Sequence, residues 1–531
     1  MTNMPTLEWI GKDKVINHHQ EVPFRVLERT YSFDENGRHD YDNGSENMII
    51  HGDNLEALKA LLPRYEGRIK CIYIDPPYNT GNEGWVYNDN VNDPKIKKWL
   101  GEVVGKEGED LTRHDKWLCM MYPRLRMLQK LLSDDGVIFI SIDDNEQANL
   151  RLLCDEIFGS SHFVAQIVWQ KRTSPDARKR MSSGHEYILI YAEDPDNLER
   201  CINLIDLDET DAAKYKNPDN DPKGPWVSVD FTAQGYRPNQ MYEITTPGGR
   251  VIGPPDGRCW KNLKDVFEQY YSEGRLWFGS DGNGVPRQKN YLSEKEGKTS
   301  WTWWTNEEVG HTQEATQELI AVLQGKVFDY PKPVRLIQRI VQMATKPDSI
   351  VLDSFAGSGT TAHAVLQMNK NDGGKRKFIS VEMMDYAETI TAERIRRVIA
   401  GYSKGKRKVE GTGGDFSYYE LGEPLMLDAD HLNEKVEKDK IREYVWYTET
   451  KQPLADEKNL HEYLMGTLNG TAYYFYYNPE QLTILNYSFL SSINEKAENY
   501  VIYADRCTLN DAELMQFGIT FKKIPRDIAK L

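Results

Sequence analysis

A chain of 531 residues exceeds what one compact core usually holds, and roughly two to four domains are expected. Hydrophobic residues make up 39% and charged residues 28%, with a formal net charge of −16. There is no apolar run of the ~18 residues that a membrane span needs, and the acidic average leaves only a local basic face for any nucleic acid. The opening residues are polar and partly acidic, so a secretory signal is not expected and the cytoplasm is the expected location. Six scattered cysteines (Cys71, Cys119, Cys154, Cys201, Cys259 and Cys507) form no CxxC pair, so neither a zinc site nor a disulfide framework is expected.

In chain order, residues 1–46 read as an N-terminal extension, followed by strands alternating with amphipathic helices over 47–193. Strands are predicted at 48–50, 71–74, 137–142 and 186–191, and helices at 54–62 and 117–132. The second strand, Cys71-Ile72-Tyr73-Ile74, is apolar on both faces, as buried parallel strands are. Residues 170–180 (QKRTSPDARKR) set Lys171, Arg172, Arg178, Lys179 and Arg180 against one acid, Asp176. That stretch is either a solvated loop or a phosphate-binding patch.

From 194 to 325 the texture changes, and Trp226, Trp260, Trp277, Trp301, Trp303 and Trp304 are half of the chain's 12 tryptophans. Pro-Gly and Gly-Gly turns at 242–260 join short strands, so this is read as an inserted, mostly β domain. Alternation resumes over 326–403, with a helix at 334–344, strands at 349–353 and 377–381, and a last helix through 399. Neither block alone supplies a full sheet, so the two are read as halves of one doubly wound, Rossmann-like α/β domain. A Gly- and Lys-rich linker then leads into a C-terminal α/β module over 404–531, with strands at 471–477, 500–504 and 519–524.

Two motifs carry chemistry. In the second block, Ile350-Val351-Leu352-Asp353-Ser354-Phe355-Ala356-Gly357-Ser358-Gly359 is a buried strand running into a glycine turn ahead of a helix. Gly357 and Gly359 allow close backbone approach to a bulky ligand, and Glu382, ending the next strand, can accept hydrogen bonds from ribose hydroxyls. The same residues also fit a dinucleotide fingerprint, so a nicotinamide enzyme stays open at this point. In the first block, Asp75-Pro76-Pro77-Tyr78-Asn79 follows a buried strand and so lies at the same sheet edge. An exocyclic amino group on a base is a poor nucleophile because its lone pair is delocalised into the ring. Asp75 offers a carboxylate and Pro76 a carbonyl to draw on its hydrogens, and the Pro76-Pro77 pair stiffens the loop. Tyr78 offers a ring face to a base turned out of the duplex.

Together these motifs resemble the amino-methyltransferases of DNA, with DPPY at Asp75 to Tyr78 and FxGxG at Phe355 to Gly359. The resemblance spans about residues 47–400, and the order DPPY, insert, FxGxG is that of the family's β class, which implies a permuted methyltransferase sheet. It implies S-adenosylmethionine as cofactor, with Lys332, Asp353, Phe355, Gly357, Gly359 and Glu382 contacting it. Asp53 would hold the cofactor's adenine, or else simply cap a helix. It also implies target recognition by the insert, and adenine N6 as acceptor, since cytosine enzymes usually carry serine and glutamine enzymes asparagine where Asp75 stands. Gly310-His-Thr-Gln-Glu-Ala315, Phe328-Asp-Tyr-Pro-Lys-Pro333 and Phe517-Gly-Ile-Thr-Phe-Lys-Lys-Ile-Pro525 resemble the modification subunit of type III restriction–modification systems. Such a subunit binds double-stranded DNA, dimerises, and pairs with a separate helicase–nuclease subunit. An orphan methyltransferase and a DNA-recognition scaffold with incidental chemistry are the alternatives.

Overall fold

The computed structural model describes residues 6–80, 113–405, 407–428, 431–455 and 461–526. The chain divides into two compact units, one of residues 1–203 with 301–531, the other of residues 204–300. The insert is thus narrower than the composition change at 194–325 suggested. No helix among the described residues is long and apolar enough to cross a membrane, and no cluster of metal-ligating side chains occurs among them.

The larger unit is built on an eleven-stranded sheet. Its strands are β1 (Arg25–Asp34), β2 (Gly37–His39), β3 (Met48–His51), β4 (Ile69–Ile74), β5 (Leu132–Ile142) and β6 (Phe163–Gln170). They continue with β7 (His185–Ala192), β8 (Trp303–Trp304), β9 (Ile350–Asp353), β10 (Lys377–Glu382) and β11 (Phe416–Pro424). The spatial order is β8-β6-β7-β5-β4-β9-β10-β3-β11-β1-β2. β5, β4, β9, β10, β3 and β11 run parallel to their neighbours within that set. β9 and β10 come from the second block and sit between β4 and β3 of the first, so the two blocks interleave in one sheet.

Three features depart from the sequence reading. β7 runs antiparallel to β5 and to β6, and the 14 residues between β6 and β7 contain no helix of the kind that usually makes a parallel crossover. The N-terminal extension supplies the antiparallel edge strands β1 and β2, and residues 416–424, assigned to the C-terminal module, supply the parallel strand β11. The Gly- and Lys-rich linker begins as an antiparallel pair, Gly401–Lys404 with Arg407–Glu410.

Helices α1 (Asn54–Tyr65), α2 (Arg113–Leu131), α3 (Gln147–Ile157), α4 (Thr312–Leu323), α5 (Val334–Ala344), α6 (Thr360–Asp372) and α7 (Glu393–Ala400) complete the layers. Their apolar stripes close on the sheet: Leu55, Leu58 and Leu61 of α1 and Leu125, Leu128 and Leu131 of α2 are all at most 1% exposed, in one cluster with Ile72, Ile74 and Ile138. The far C-terminal part carries a four-stranded sheet of Leu464–Leu468, Thr471–Phe475, Asn499–Ala504 and Ile519–Lys523.

The smaller unit has a three-stranded antiparallel sheet of Trp226–Asp230, Arg287–Tyr291 and Leu276–Trp277, with shorter strand pairs, the helix Lys264–Ser272 and a single helical turn at Glu209–Ala212. Its own core is Phe231, Ile244, Trp260, Phe267, Leu276 and Phe278. An antiparallel bridge between Ile205 and Lys298 ties its two ends together.

Candidate active site

β4 and β9 are adjacent and parallel, with Val351 opposite Cys71 and Leu352 opposite Ile72. The loops leaving their carboxyl ends therefore emerge side by side, where open parallel sheets bind ligands. One cavity there is lined by Asp75, Tyr330, Lys332, Asp353, Phe355 and Gly357, so both motifs and Lys332 meet in one place.

The loop after β4 is held from several directions. Trp117 of α2, fully buried, donates its indole N–H to the carbonyl of Pro77 at 2.6 Å. Asn79 stands in the left-handed region at φ 57°. Its amide donates to the buried carboxylate of Glu146, which also takes His114 Nδ1 at 2.6 Å and Asn149 Nδ2 at 2.7 Å. These contacts fix the loop backbone before any substrate arrives, which is the geometric requirement for preorganised acceptors.

At the centre, Asp75 Oδ1 accepts from the Tyr78 hydroxyl at 2.8 Å and Oδ2 from Lys332 Nζ at 2.6 Å. The Lys332 ammonium also lies 5.0 Å from the centre of the Tyr78 ring. Burial pushes the Asp75 carboxyl above its ordinary range against the pull of Lys332, and the charge of Glu186 adds to the rise. Glu186, near the start of β7, accepts from Tyr78 Oη at 3.0 Å and from Lys171 Nζ at 2.9 Å. For Glu186 the upward push of burial is outweighed by Lys332 and Lys171, and its carboxyl is held below the usual range. Lys332, expected on the cofactor, thus lines the shared cavity with its ammonium on Asp75. Lys171, expected on phosphate, has its ammonium on Glu186.

The turn after β9 is satisfied by its own surroundings. Asp353 Oδ1 accepts from the Phe355 N–H at 3.0 Å, and Oδ2 from the Thr361 hydroxyl at 2.5 Å. Gly357 and Gly359 take φ of 52° and 80°, and a Cβ on Gly359 would stand 3.2 Å from the Thr391 carbonyl, so glycine is required there. Glu382, expected to face ribose hydroxyls, accepts from the N–H groups of Gly357 at 2.7 Å and Met384 at 3.0 Å. Burial pushes the carboxyls of Asp353 and Glu382 each up to about 7. Beneath the turn the fully buried Arg394 donates to Ser358 Oγ at 2.9 Å and Thr360 Oγ1 at 2.8 Å.

Asp53 caps α1. Its Oδ1 accepts from the N–H groups of Leu55 at 2.9 Å and Glu56 at 3.2 Å, while Oδ2 meets Arg124 at 3.3 Å. In the basic stretch Arg178 pairs with Asp176 at 2.8 Å, and Arg172, Lys179 and Arg180 are exposed. That stretch lines an open groove with His311, Thr312 and Lys326. The sequence reading passed over Glu186, Glu146, Trp117 and Arg394. Only Glu186 left a signal, as a charge at the head of the apolar run Tyr187-Ile188-Leu189-Ile190-Tyr191.

The sequence that carries both turns is matched in known proteins. A family model described as DNA methylase matches residues 69–393, which include both motifs. The chain is 34% identical over 467 residues to the type III restriction-modification enzyme StyLTI Mod subunit of Salmonella typhimurium, covering 82% of this chain and 68% of that protein. It is 34% identical to the EcoPI Mod subunit of Escherichia phage P1, covering 76% of this chain and 66% of that subunit. It is also 34% identical to the type II methyltransferase M.KpnI of Klebsiella pneumoniae, covering 69% of this chain and 86% of that one. The chain thus spans only about two thirds of the Mod subunits' length. With the match running unbroken from the strand before Asp75 to the helix beyond Glu382, the chain belongs to the DNA methylase family.

Proposed function

We propose that this protein transfers a methyl group from S-adenosylmethionine to N6 of adenine in double-stranded DNA, with the target base turned out of the helix, as the modification subunit of a type III restriction–modification system. The observation that carries this reading is the placement of Asp75, just past the end of β4, in one cavity with the glycine turn that follows the adjacent strand β9, with the Tyr78 hydroxyl on Asp75. An aspartate at the head of the loop favours adenine, and the Mod relatives favour the type III setting.

The residues fit the cofactor. The turn holds two glycines at positive φ, buried carboxylates that favour a cation, and a buried Ser354 hydroxyl with no partner among the described residues. Bound there, S-adenosylmethionine supplies a methyl group on a sulfonium sulfur. Asp353, Phe355, Gly357, Gly359 and Glu382 would hold it. Asp75 and the Pro76 carbonyl accept the amino hydrogens of the target and turn its nitrogen toward tetrahedral, which frees the lone pair to attack. Tyr78 stacks on the flipped ring. The proton lost from nitrogen passes to Asp75 or to water.

Residues 204–300 are the natural reader of sequence, and Arg172, Arg178, Lys179 and Arg180 are suited to phosphate contacts that give affinity without specificity. A homodimer in the bacterial cytoplasm, served by a separate helicase–nuclease subunit, completes the proposal. A stand-alone methyltransferase is the second reading, favoured by the 86% coverage of M.KpnI. The test is nucleoside mass spectrometry on DNA from a methylation-free host expressing the chain or its Asp75→Ala variant. N6-methyladenine from the first alone is expected; its absence from both, or N4-methylcytosine in its place, would overturn the reading.

A further inference from the structure

Both oxygens of Asp75 are engaged, Oδ1 by Tyr78 and Oδ2 by Lys332. On the function proposed above, that carboxylate must accept hydrogens from the target amino group, which then competes with Tyr78 and Lys332 for its oxygens and lone pairs. A hydroxyl or ammonium displaced into a buried site needs another acceptor, since an unpaired buried donor is costly. Glu186 stands within reach of both: its Oε2 lies 3.0 Å from the Tyr78 hydroxyl and 3.6 Å from Lys332 Nζ. The Tyr78 hydroxyl has one proton and two carboxylates at nearly equal distance, so either can hold it. The other oxygen of Glu186 is anchored by Lys171.

We propose that Glu186 is a positioning residue for methyl transfer: it takes the Tyr78 hydroxyl and the Lys332 ammonium from Asp75 as the target amino group arrives, and so frees Asp75 to accept from that nitrogen. The inference rests on the role given to Asp75 above. It assigns a function to a carboxylate 111 residues further along the chain, at the antiparallel strand β7.

The charges around the pair give this role a signature. Facing Glu186 and Asp75 are Tyr73 from β4, Tyr78 from the loop, Asp143 after β5, Lys171 after β6, Lys332 ahead of α5 and Asp353 ending β9. The two lysines keep Glu186 ionised despite burial, and its negative charge in turn raises the proton affinity of Asp75. Replacing Glu186 by an uncharged residue leaves Tyr78 and Lys332 on Asp75, which slows transfer. It also removes a like charge, which moves the titration of Asp75 to lower pH.

The experiment is single-turnover methylation of a duplex oligonucleotide by the full chain at saturating S-adenosylmethionine, followed across pH for wild type, Glu186→Gln, Tyr78→Phe and the double variant. Glu186→Gln is expected to slow transfer by about 10- to 100-fold, the scale of one hydrogen bond to a charged group. Binding of DNA and cofactor should be unchanged, and the acid limb of the profile should move to lower pH. In the Tyr78→Phe background, where one partner of Asp75 is already gone, the same change should cost less. Glu186→Asp, which keeps the charge, should recover most of the rate and the wild-type acid limb, and it serves also if the glutamine variant does not fold. An unchanged rate overturns the proposal, as does a slower rate with the acid limb unmoved or moved upward, or a full cost in the Tyr78→Phe background. Asp75→Ala separates the two levels: turnover in that variant would overturn the function proposed for the loop. An inactive Asp75→Ala beside a wild-type-like Glu186→Gln would remove only the role of Glu186.

Discussion

The two turns at the sheet edge are built on opposite plans. The cofactor turn is tied mostly within its own block: Asp353 bonds Phe355 and Thr361, Glu382 bonds Gly357 and Arg394 bonds Ser358 and Thr360, while Asn54 reaches the Ser354 carbonyl from the first block. The Asp75 loop depends on distant chain, with Trp117 at a separation of 40, Glu146 at 67, Glu186 at 108 and Lys332 at 257. On the roles proposed, a turn tied mostly within its own block suits a cofactor used again and again, whereas a loop held by groups from several elements can exchange partners as a base enters.

That contrast can be broken at four points. The largest effect should come from Asp75→Ala, which is expected to lower the transfer rate by about 100- to 10,000-fold while cofactor binding measured by calorimetry stays near wild type. Parallel loss of binding would mean that the two turns are one unit. Next, Gly359→Val places a branched side chain at φ 80° against the Thr391 carbonyl and should cost about 2 kcal/mol or more, read as lost cofactor affinity and a lower melting temperature. Normal affinity would show that the turn does not hold the ligand. Trp117→Phe removes the hydrogen bond to Pro77 but keeps most of the packing, so transfer should slow by about tenfold, corresponding to about 1 kcal/mol, with cofactor affinity intact. An equal loss in both quantities would argue against separate bracing.

The smallest effect sharpens the comparison through pH. Asp353 has its carboxyl pushed up to about 7 by burial, well above the unfolded value. Its contribution to stability is therefore fully present in acid below the unfolded value and is lost as pH rises through about 7. Ionisation favours a cationic ligand, so cofactor affinity should rise over the same interval. Asp353→Asn can keep both hydrogen bonds and should flatten both trends, raising apo stability in mild alkali by about 1–2 kcal/mol. Thermal melts and calorimetry at acid and alkaline pH check it; an unchanged slope in both would mean that Asp353 is ordinary.

The same contrast explains what was legible in the sequence. Ile350 to Gly359 and Ile74 to Asn79 could be read because a buried strand, a glycine or proline turn and a following helix are local patterns. That the two blocks are halves of one domain is also legible, since each lacks enough strands to stand alone, whereas their interleaving appears only in the fold. Glu186 shows in the sequence only as a charge at the head of an apolar run, which does not mark a site; its partners Tyr78 and Lys332 meet it only through the fold. Lys332 was placed on the cofactor because it precedes the cofactor strand, and its 2.6 Å contact with Asp75 arises from adjacency of β4 and β9. Asp53 caps α1, one of the two roles its place ahead of the leucine pattern offers. β6 is hard to read because Ala165 and Gln166 interrupt its apolar alternation, and the short β2 because an edge strand needs little apolar surface.

The bridge between Ile205 and Lys298 has a consequence for descent. A segment of about a hundred residues with its own core, whose two ends are pinned to each other, can be cut out and replaced without moving the strands that carry Asp75 and Asp353. On the recognition role proposed for that segment, recombination between genes would then change which sites a lineage marks in a single event, leaving the transfer machinery inherited intact.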